Sequence, residues 1–432
     1  MSTEPTHEPT HEPTHRPAVE MLPAWSQAEG AARAAAAFRE RFGGEPDGVW
    51  SAPGRVNVIG EHTDYNGGLC LPIALPHRTY VALASRAGRP ADEGAAADRD
   101  LVRLASAQEA GTWEGRIGDV APGSVQGWAA YAVGVAWALR EAGHEVAGFD
   151  AVVDSCVPYG AGLSSSAALE CAVAVALDDV HGLGLGGGDA GRAQLAAACI
   201  RAENEIAGAP TGGMDQAASL RCTAGHALLL DNRDGSTRHI PLDLAAHGLA
   251  LLVVDTRAPH QLADGQYAAR RAQCREAADA LGIATLREVD DLDAALDRLG
   301  ETLPGGTDVA VIRRRVRHVV TDTRRVELVE RLLDADEVEE VGPVLTEAHA
   351  SLRDDYEVSV RELDLAVEAA IAAGALGGRM VGGGFGGSAV ALVRTADVDG
   401  VTASVARAFS EAGLAAPAFL VATAEAAAGR SA

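Results

Sequence analysis

The sequence contains no lysine; all 36 of its basic residues are arginine. That absence removes two catalytic strategies. A Walker A loop sets a lysine ammonium on the β- and γ-phosphates of a nucleotide, and Schiff-base chemistry needs a lysine amine as nucleophile. Aromatic residues are also scarce, at 4%, so the cores are expected to be built from Ala, Val and Leu packed at short distances. The six cysteines, Cys70, Cys156, Cys171, Cys199, Cys222 and Cys274, stand far apart without a CxxC pair, most of them among apolar neighbours. There a free cysteine behaves as a small hydrophobe. No uncharged apolar run reaches the roughly 18 residues that a membrane span needs, and no signal-peptide pattern is present. These features fit a reducing cytoplasm.

Positive charge is the next deficit. The formal net charge is −25, which opposes binding to nucleic acid, where affinity rests on neutralising phosphates, and to an acidic membrane leaflet. The one basic run, RRRVRH at 313–318, leads into an amphipathic pattern and reads as a solvated helix face. A small anionic ligand stays possible where charge is arranged locally.

What is present is a globular chain of 432 residues, 47% of them apolar, long enough for two or three domains. Residues 1–20 read as a disordered tail, because EPTH repeats at 4–7, 8–11 and 12–15 put proline at every fourth position. His7 to His11 fit the HExxH pattern of zinc proteases, but that pattern works on a helix and Pro9 removes the helix. Beyond the tail the pattern predicts helices over 25–42, 164–177, 192–206 and 345–373, and strands over 149–157, 250–255 and 388–393. The expected class is α+β, with two mixed lobes at 21–222 and 223–432.

Three glycine-rich stretches compete as phosphate cradles. GLGLGGG at 182–188 formally contains GxGxxG, but it follows a helix and reads as a surface linker. At 158–168 a predicted strand enters Pro-Tyr-Gly-Ala-Gly-Leu-Ser-Ser-Ser-Ala-Ala and an apolar helix leaves it. Gly160 and Gly162 let the backbone approach a ligand, and Ser164, Ser165 and Ser166 lie at the cap and first turn, where free N–H groups favour an anion. In the third stretch five glycines fill six positions, 382–387, which fits either a flexible turn or a loop closing over a substrate.

Polar chemistry concentrates in PGRVNVIGEHTDYNGG, residues 53–68, a loop-like stretch carrying Arg55, Asn57, Glu61, His62, Asp64, Tyr65 and Asn66. Carboxylates, amides and an imidazole together can fix the direction of each hydroxyl of a polyol. Two further acids stand apart. Asp215 lies among small and apolar residues at a predicted helix start, where it can be a capping residue or a reactive group. Glu203 lies on an apolar helix, as a surface charge or a magnesium ligand.

Taken in order, these segments resemble the GHMP family of small-molecule kinases and, within it, the branch acting on galactose. The resemblance runs over about residues 40–425. It is carried by PGRVNVIGEHTDYNGG, by VPYGAGLSSSAALE and MVGGGFGGSAVALV, and by APTGGMDQ, YAARRAQC, RHVVTDTRRV and SLRDDYEVS. It implies two lobes with the active site between them, ATP and Mg²⁺ as cofactors, galactose as acceptor, and a cytoplasmic monomer. It further implies Asp215 as catalytic base and Arg55 as its partner near the transferred phosphoryl. By the same resemblance Glu61, His62, Asp64, Gly213 and Tyr267 contact the sugar. Gly160, Gly162, Leu163 and Ser164 to Ser166 hold the nucleotide, with Trp128 and Tyr131 near adenine, and Ser166 and Glu203 hold Mg²⁺. The chain departs from the family at Ser388, where cysteine is common, and at Gly213, where a larger apolar residue is common. A sibling kinase acting on N-acetylgalactosamine or arabinose, and a galactose-sensing regulator without catalysis, would share most of these motifs.

Overall fold

Residues 80–84, Tyr-Val-Ala-Leu-Ala, are apolar at every position because both faces of their strand are covered. Val81 and Leu83 enter a core with the helices Ala129–Glu141 and Ser165–His181, while Tyr80, Ala82 and Ala84 meet Ala31, Ala34 and Phe38 of the helix Gln27–Phe42. The computed structural model describes residues 19–87, 99–258 and 265–432. It places this strand, Pro72–Ser85, in a six-stranded sheet with the order Gly429–Arg430, Gly48–Asn57, Pro72–Ser85, Phe149–Ser155, Leu101–Ser106, Thr112–Arg116.

A second sheet has the order Glu20–Met21, Ala418–Ala422, Leu249–Ala258, Gly387–Arg394, Gly377–Val381. The same period of two operates in its central strand. Ala250, Leu252 and Val254 pack towards the helices Arg361–Ala372 and Val398–Glu411, and Leu249, Leu251 and Val253 face the other way. That other core also contains Val56, Ile73, Val157 and Leu163 from the first half of the chain, so the two lobes share an apolar interior. A small third sheet pairs Leu69–Cys70, His226–Asp231 and Ser236–Pro241. The architecture is the α+β, two-lobed one expected. Its sheets exchange chain ends: Glu20 and Met21 pair with Ala418 and Phe419 in the second sheet, and Gly429 and Arg430 pair with Ser51 and Trp50 in the first. The EPTH repeat and its HExxH match lie outside the described residues. Among the described residues no helix is long and apolar enough to cross a membrane, and all six cysteines are free.

Four local expectations change. The helix predicted over 345–373 is two helices, Val341–Asp354 and Arg361–Ala372. Between them Glu357 adopts a left-handed backbone (φ 58°), while Tyr356 and Val358 on either side are fully buried; this break puts Tyr356 beside the site. The helix predicted to end at 206 is α-helical over Asp189–Arg201 and then widens into a π-helical turn, Ala202–Ala207, which carries Glu203. Such turns recur at functional sites. The stretch 53–68 is not all loop, since its first five residues finish the buried strand Gly48–Asn57. Lastly, RRRVRH is not a solvated face throughout. Arg315 and His318 are buried, because Arg315 bonds Gln273 Oε1, the Asp355 carbonyl and Glu357, and His318 uses both ring nitrogens, on Ser351 and on the Glu61 carbonyl. The GLGLGGG stretch does join two helices, with Leu185 and Gly186 donating to the Asp178 carboxylate.

Candidate active site

The second and third glycine stretches meet. Ser388 Oγ donates to the Ala161 carbonyl at 2.6 Å, and a Cβ on Gly382 (φ 80°) would lie 3.0 Å from the Gly162 carbonyl oxygen. Gly382 and Gly387 are therefore needed for close approach to residues 161–162, and Gly384 for close approach to Val358, rather than for a flexible turn. Arg55 holds the same loop from below: its N–H donates to the Leu163 carbonyl (3.1 Å) and its Nη1 to the Gly162 carbonyl (2.6 Å). With these carbonyls taken, the chain turns at Ser164 (φ 60°) into the helix Ser165–His181. The first-turn N–H groups of that helix, which no helix satisfies internally, are available to an anion. Gly160 (φ 73°) has open space around it.

Asp215 stands in the first turn of the helix Met214–Arg221, facing this loop. Arg55 binds its carboxylate at two points, Nε to Oδ1 at 2.9 Å and Nη2 to Oδ2 at 3.0 Å, and the Ser164 hydroxyl donates to Oδ2. Burial works against the charge of Arg55, but Asp215, then Glu61 and Asp64, outweigh it and hold the guanidinium proton more firmly than usual. Gly213 precedes the helix at φ 100°, where a Cβ would run into Ile200. Glycine rather than a larger residue is what this turn requires. Gly212 is pressed against the Asp64 carboxylate with no room for a Cβ.

Asp64 titrates high, at about 6 instead of 3.8, chiefly through burial, with Asp215 and Glu61 adding repulsion. Its proton is bound more tightly folded than unfolded. The associated stability is thus complete below about pH 4 and lost as pH rises through about 6, a penalty of about 2–3 kcal/mol at neutral pH. Asp64→Asn is expected to raise the denaturation midpoint of the unliganded protein at pH 8, with the gain vanishing at pH 4. Denaturant titrations at the two pH values check the sign.

Glu61 is buried, and burial pushes its carboxyl up against the pull of Arg379 and Arg55. Arg379 Nη2 lies 2.9 Å from Glu61 Oε1, and the Gly382 N–H donates to the same oxygen at 2.7 Å. His62, at φ 61°, and Tyr65 turn into the same space as Tyr267 of the helix Gln266–Leu281, whose ring centroid is 5.5 Å from that of His62 and 5.6 Å from that of Tyr65. Across from these groups, on the side of residues 164–166, the Glu203 carboxyl is raised to about 7 by burial and by Asp215, against hydrogen bonds from Ser166 and Gln216. Gln216 Nε2 also donates to Glu170, a fully buried acid pushed well up by burial and by Glu203. Trp128 precedes the helix Ala129–Glu141, and Tyr131 in its first turn is raised to about 12 by burial, then by Glu203 and Glu170. Hydroxyl and carboxylate oxygens from Ser166 and Glu203 are a hard donor pair of the kind that suits Mg²⁺.

Arg55, Glu61, His62, Asp64, Ser164, Ser166, Glu203, Asp215 and Tyr267, from five segments, thus lie together with Tyr131 beside Glu203, whereas Trp128 packs against the first core. The sequence reading missed Arg379, Gln216 and Glu170. Two of them sit inside the quoted APTGGMDQ and VPYGAGLSSSAALE motifs, and an arginine within the apolar Gly377–Val381 strand was the signal for the third.

One glycine loop locked to a second, with an acid–arginine pair at their junction, is the arrangement that comparison with known proteins places in the GHMP class of small-molecule kinases. Profiles described as GHMP kinases N terminal domain and GHMP kinases C terminal match residues 130–222 and 329–411, and the galactokinase galactose-binding signature matches residues 36–85. The chain is 55% identical over 383 residues to a galactokinase of Streptomyces coelicolor, covering 88% of this chain and 93% of that one. It is 43% identical to the human galactokinase over 377 residues, 85% of this chain and 88% of that one. The crystal structure of Lactococcus lactis galactokinase complexed with galactose superposes with a TM-score of 0.82 at 30% identity, covering 92% of this chain and 98% of that one. The chain belongs to the galactokinase family.

Proposed function

We propose that the protein transfers the γ-phosphoryl group of ATP to the anomeric hydroxyl of galactose, giving galactose 1-phosphate and ADP. The observation that carries this reading is the two-point Arg55–Asp215 pair at the junction of the two glycine loops. Phosphoryl transfer depends on positioning and charge stabilisation more than on covalent chemistry. Glu61, His62, Asp64 and Tyr267 hold and orient the sugar, so that its C1 hydroxyl reaches Asp215. Asp215 takes the hydroxyl proton as that oxygen bonds to the γ-phosphorus and the bond to the β,γ-bridging oxygen breaks, releasing ADP. Arg55 keeps the carboxylate in place and offsets charge gathering on the transferred group. The first-turn N–H groups of residues 165–167 receive phosphate oxygens. Ser166 and Glu203 would hold Mg²⁺, which when bound neutralises charge on the β- and γ-phosphates. Trp128 and Tyr131 flank the adenine.

ADP release measured against a sugar panel tests the reading. Turnover is expected to be highest on galactose, with N-acetylgalactosamine and arabinose at least about 10-fold poorer in kcat/KM, since a pocket of paired acceptors rejects a ligand that lacks a matching hydroxyl. Preference for either of those sugars would reassign the acceptor, and no ADP with any sugar would leave a sugar-binding regulator.

A further inference from the structure

We propose that Tyr65 and Tyr356 are positioning residues that fix which nitrogen of His62 carries its proton, and thereby present an Nε2–H donor to the bound sugar. The inference rests on reading His62 as a sugar ligand and goes on to say how its chemistry is set.

Burial, then the neighbouring His318, Arg270 and Arg379, push the His62 imidazole down to about 3. The ring is therefore neutral at any working pH, with one N–H and one lone pair, and its two tautomers offer a ligand opposite chemistry. Nδ1 lies 2.8 Å from the Tyr65 hydroxyl, which lies 2.7 Å from the Tyr356 hydroxyl, which lies 3.1 Å from Cys274 Sγ. Nε2 is buried and has no hydrogen-bond partner among the described residues. The nearby His318 cannot take that place, because its own nitrogens are committed to Ser351 and the Glu61 carbonyl.

The row His62, Tyr65, Tyr356, Cys274 can be ordered in two directions. If Nδ1 carries the proton, each group donates onward and the row ends on the sulfur of Cys274. If the thiol starts the row, Cys274 donates to Tyr356, Tyr356 to Tyr65, and Tyr65 to the Nδ1 lone pair. Two features favour the second order. A thiol is a weak acceptor and an imidazole nitrogen a strong one, so the row gains by ending on His62. Burial also holds the Cys274 thiol proton in place, raising its titration to about 11, so the sulfur has a hydrogen to give.

The result is a fixed donor facing two acceptors, Glu61 and Asp64. A sugar hydroxyl placed there accepts from His62 while giving its own hydrogen to a carboxylate. A hydroxyl of inverted configuration cannot make both bonds. The relay thus turns a ring that could read either polarity into one that reads a single orientation.

The test uses the full chain labelled with ¹⁵N-histidine, with the His62 signals assigned by their loss in His62→Gln. In the wild type the Nδ1 resonance is expected in the unprotonated range and Nε2 in the protonated range. Tyr65→Phe is expected to mix the tautomers and to raise the galactose KM about 10-fold, the worth of one neutral hydrogen bond, with kcat within about twofold. Tyr356→Phe, which keeps the buried ring, is expected to shift both readouts in the same direction by less, and it stands in if Tyr65→Phe does not fold. A wild-type ring protonated at Nδ1, or tautomer and KM both unmoved in the two variants, overturns the proposal. If His62→Gln itself leaves galactose affinity unchanged, the sugar-contact reading fails, while the NMR still reports the tautomer.

Discussion

Asp215→Asn is expected to lower kcat by about 10³-fold while galactose binding stays measurable, because the amide keeps the shape of the carboxylate but cannot accept the hydroxyl proton. Asparagine is the informative replacement. Its side-chain oxygen can still accept from Arg55 and Ser164, which hold Asp215 now. Alanine would remove the acceptors of the buried Arg55 and Ser164 donors as well as the charge, a larger loss of stability that could imitate a catalytic defect. Single-turnover ADP formation, run beside calorimetric galactose titration, separates the two effects. Turnover in Asp215→Asn close to the wild-type rate would remove Asp215 from its assigned role.

Arg379→Met is expected to destabilise the fold by about 3–5 kcal/mol, since it takes from the buried Glu61 carboxylate its nearest cation and leaves it the Gly382 N–H and the weaker pull of Arg55. Arg379 is fully buried, with Nε donating to the Met380 carbonyl and Nη1 to the Val58 carbonyl, both at 3.0 Å. It fastens the strand Gly377–Val381 to the sugar loop through both backbone and carboxylate. Adding Glu61→Gln to Arg379→Met should recover part of the loss, because the burial that already pushes Glu61 up then acts on a neutral group. Denaturant midpoints for the two single variants and the double variant measure the coupling. Strict additivity would mean that the two groups do not act as a pair. Galactose affinity should fall in all three.

These two expectations mark where the sequence was and was not readable. The phosphate loop was legible because a strand, two glycines, three serines and an apolar helix follow one another within a single stretch, so local chemistry alone identifies it. Asp215 and Arg55 were named from ordered motifs, but their two-point contact is a fact of packing. Arg379 was not legible. A lone arginine in an apolar strand announces that it has a partner, yet nothing local says that the partner is Glu61. Arg315 and His318 failed in the opposite sense, since a helical pattern counts them as solvent-facing unless acceptors from Asp355, Glu357, Ser351 and the Glu61 carbonyl are known to close over them. The break after Asp354 was hidden for a related reason. The residues 355–360 look helix-compatible one by one, and it is the burial of both Tyr356 and Val358 that forces the chain to turn.

The exchange of strands between the lobes bears on how the chain is made. The strand Gly429–Arg430 edges a sheet whose other five strands lie within residues 48–155, and Arg78 of that sheet donates to the carbonyls of Ala426 and Ala427. In the second sheet, Glu20–Met21 reaches its neighbours only through Ala418–Ala422. A ribosome that has translated nine-tenths of this sequence therefore holds two incomplete sheets and a lobe-spanning core still missing Leu420 and Ala422. The nascent chain cannot finish one lobe and then begin the other; both wait on the same late segment.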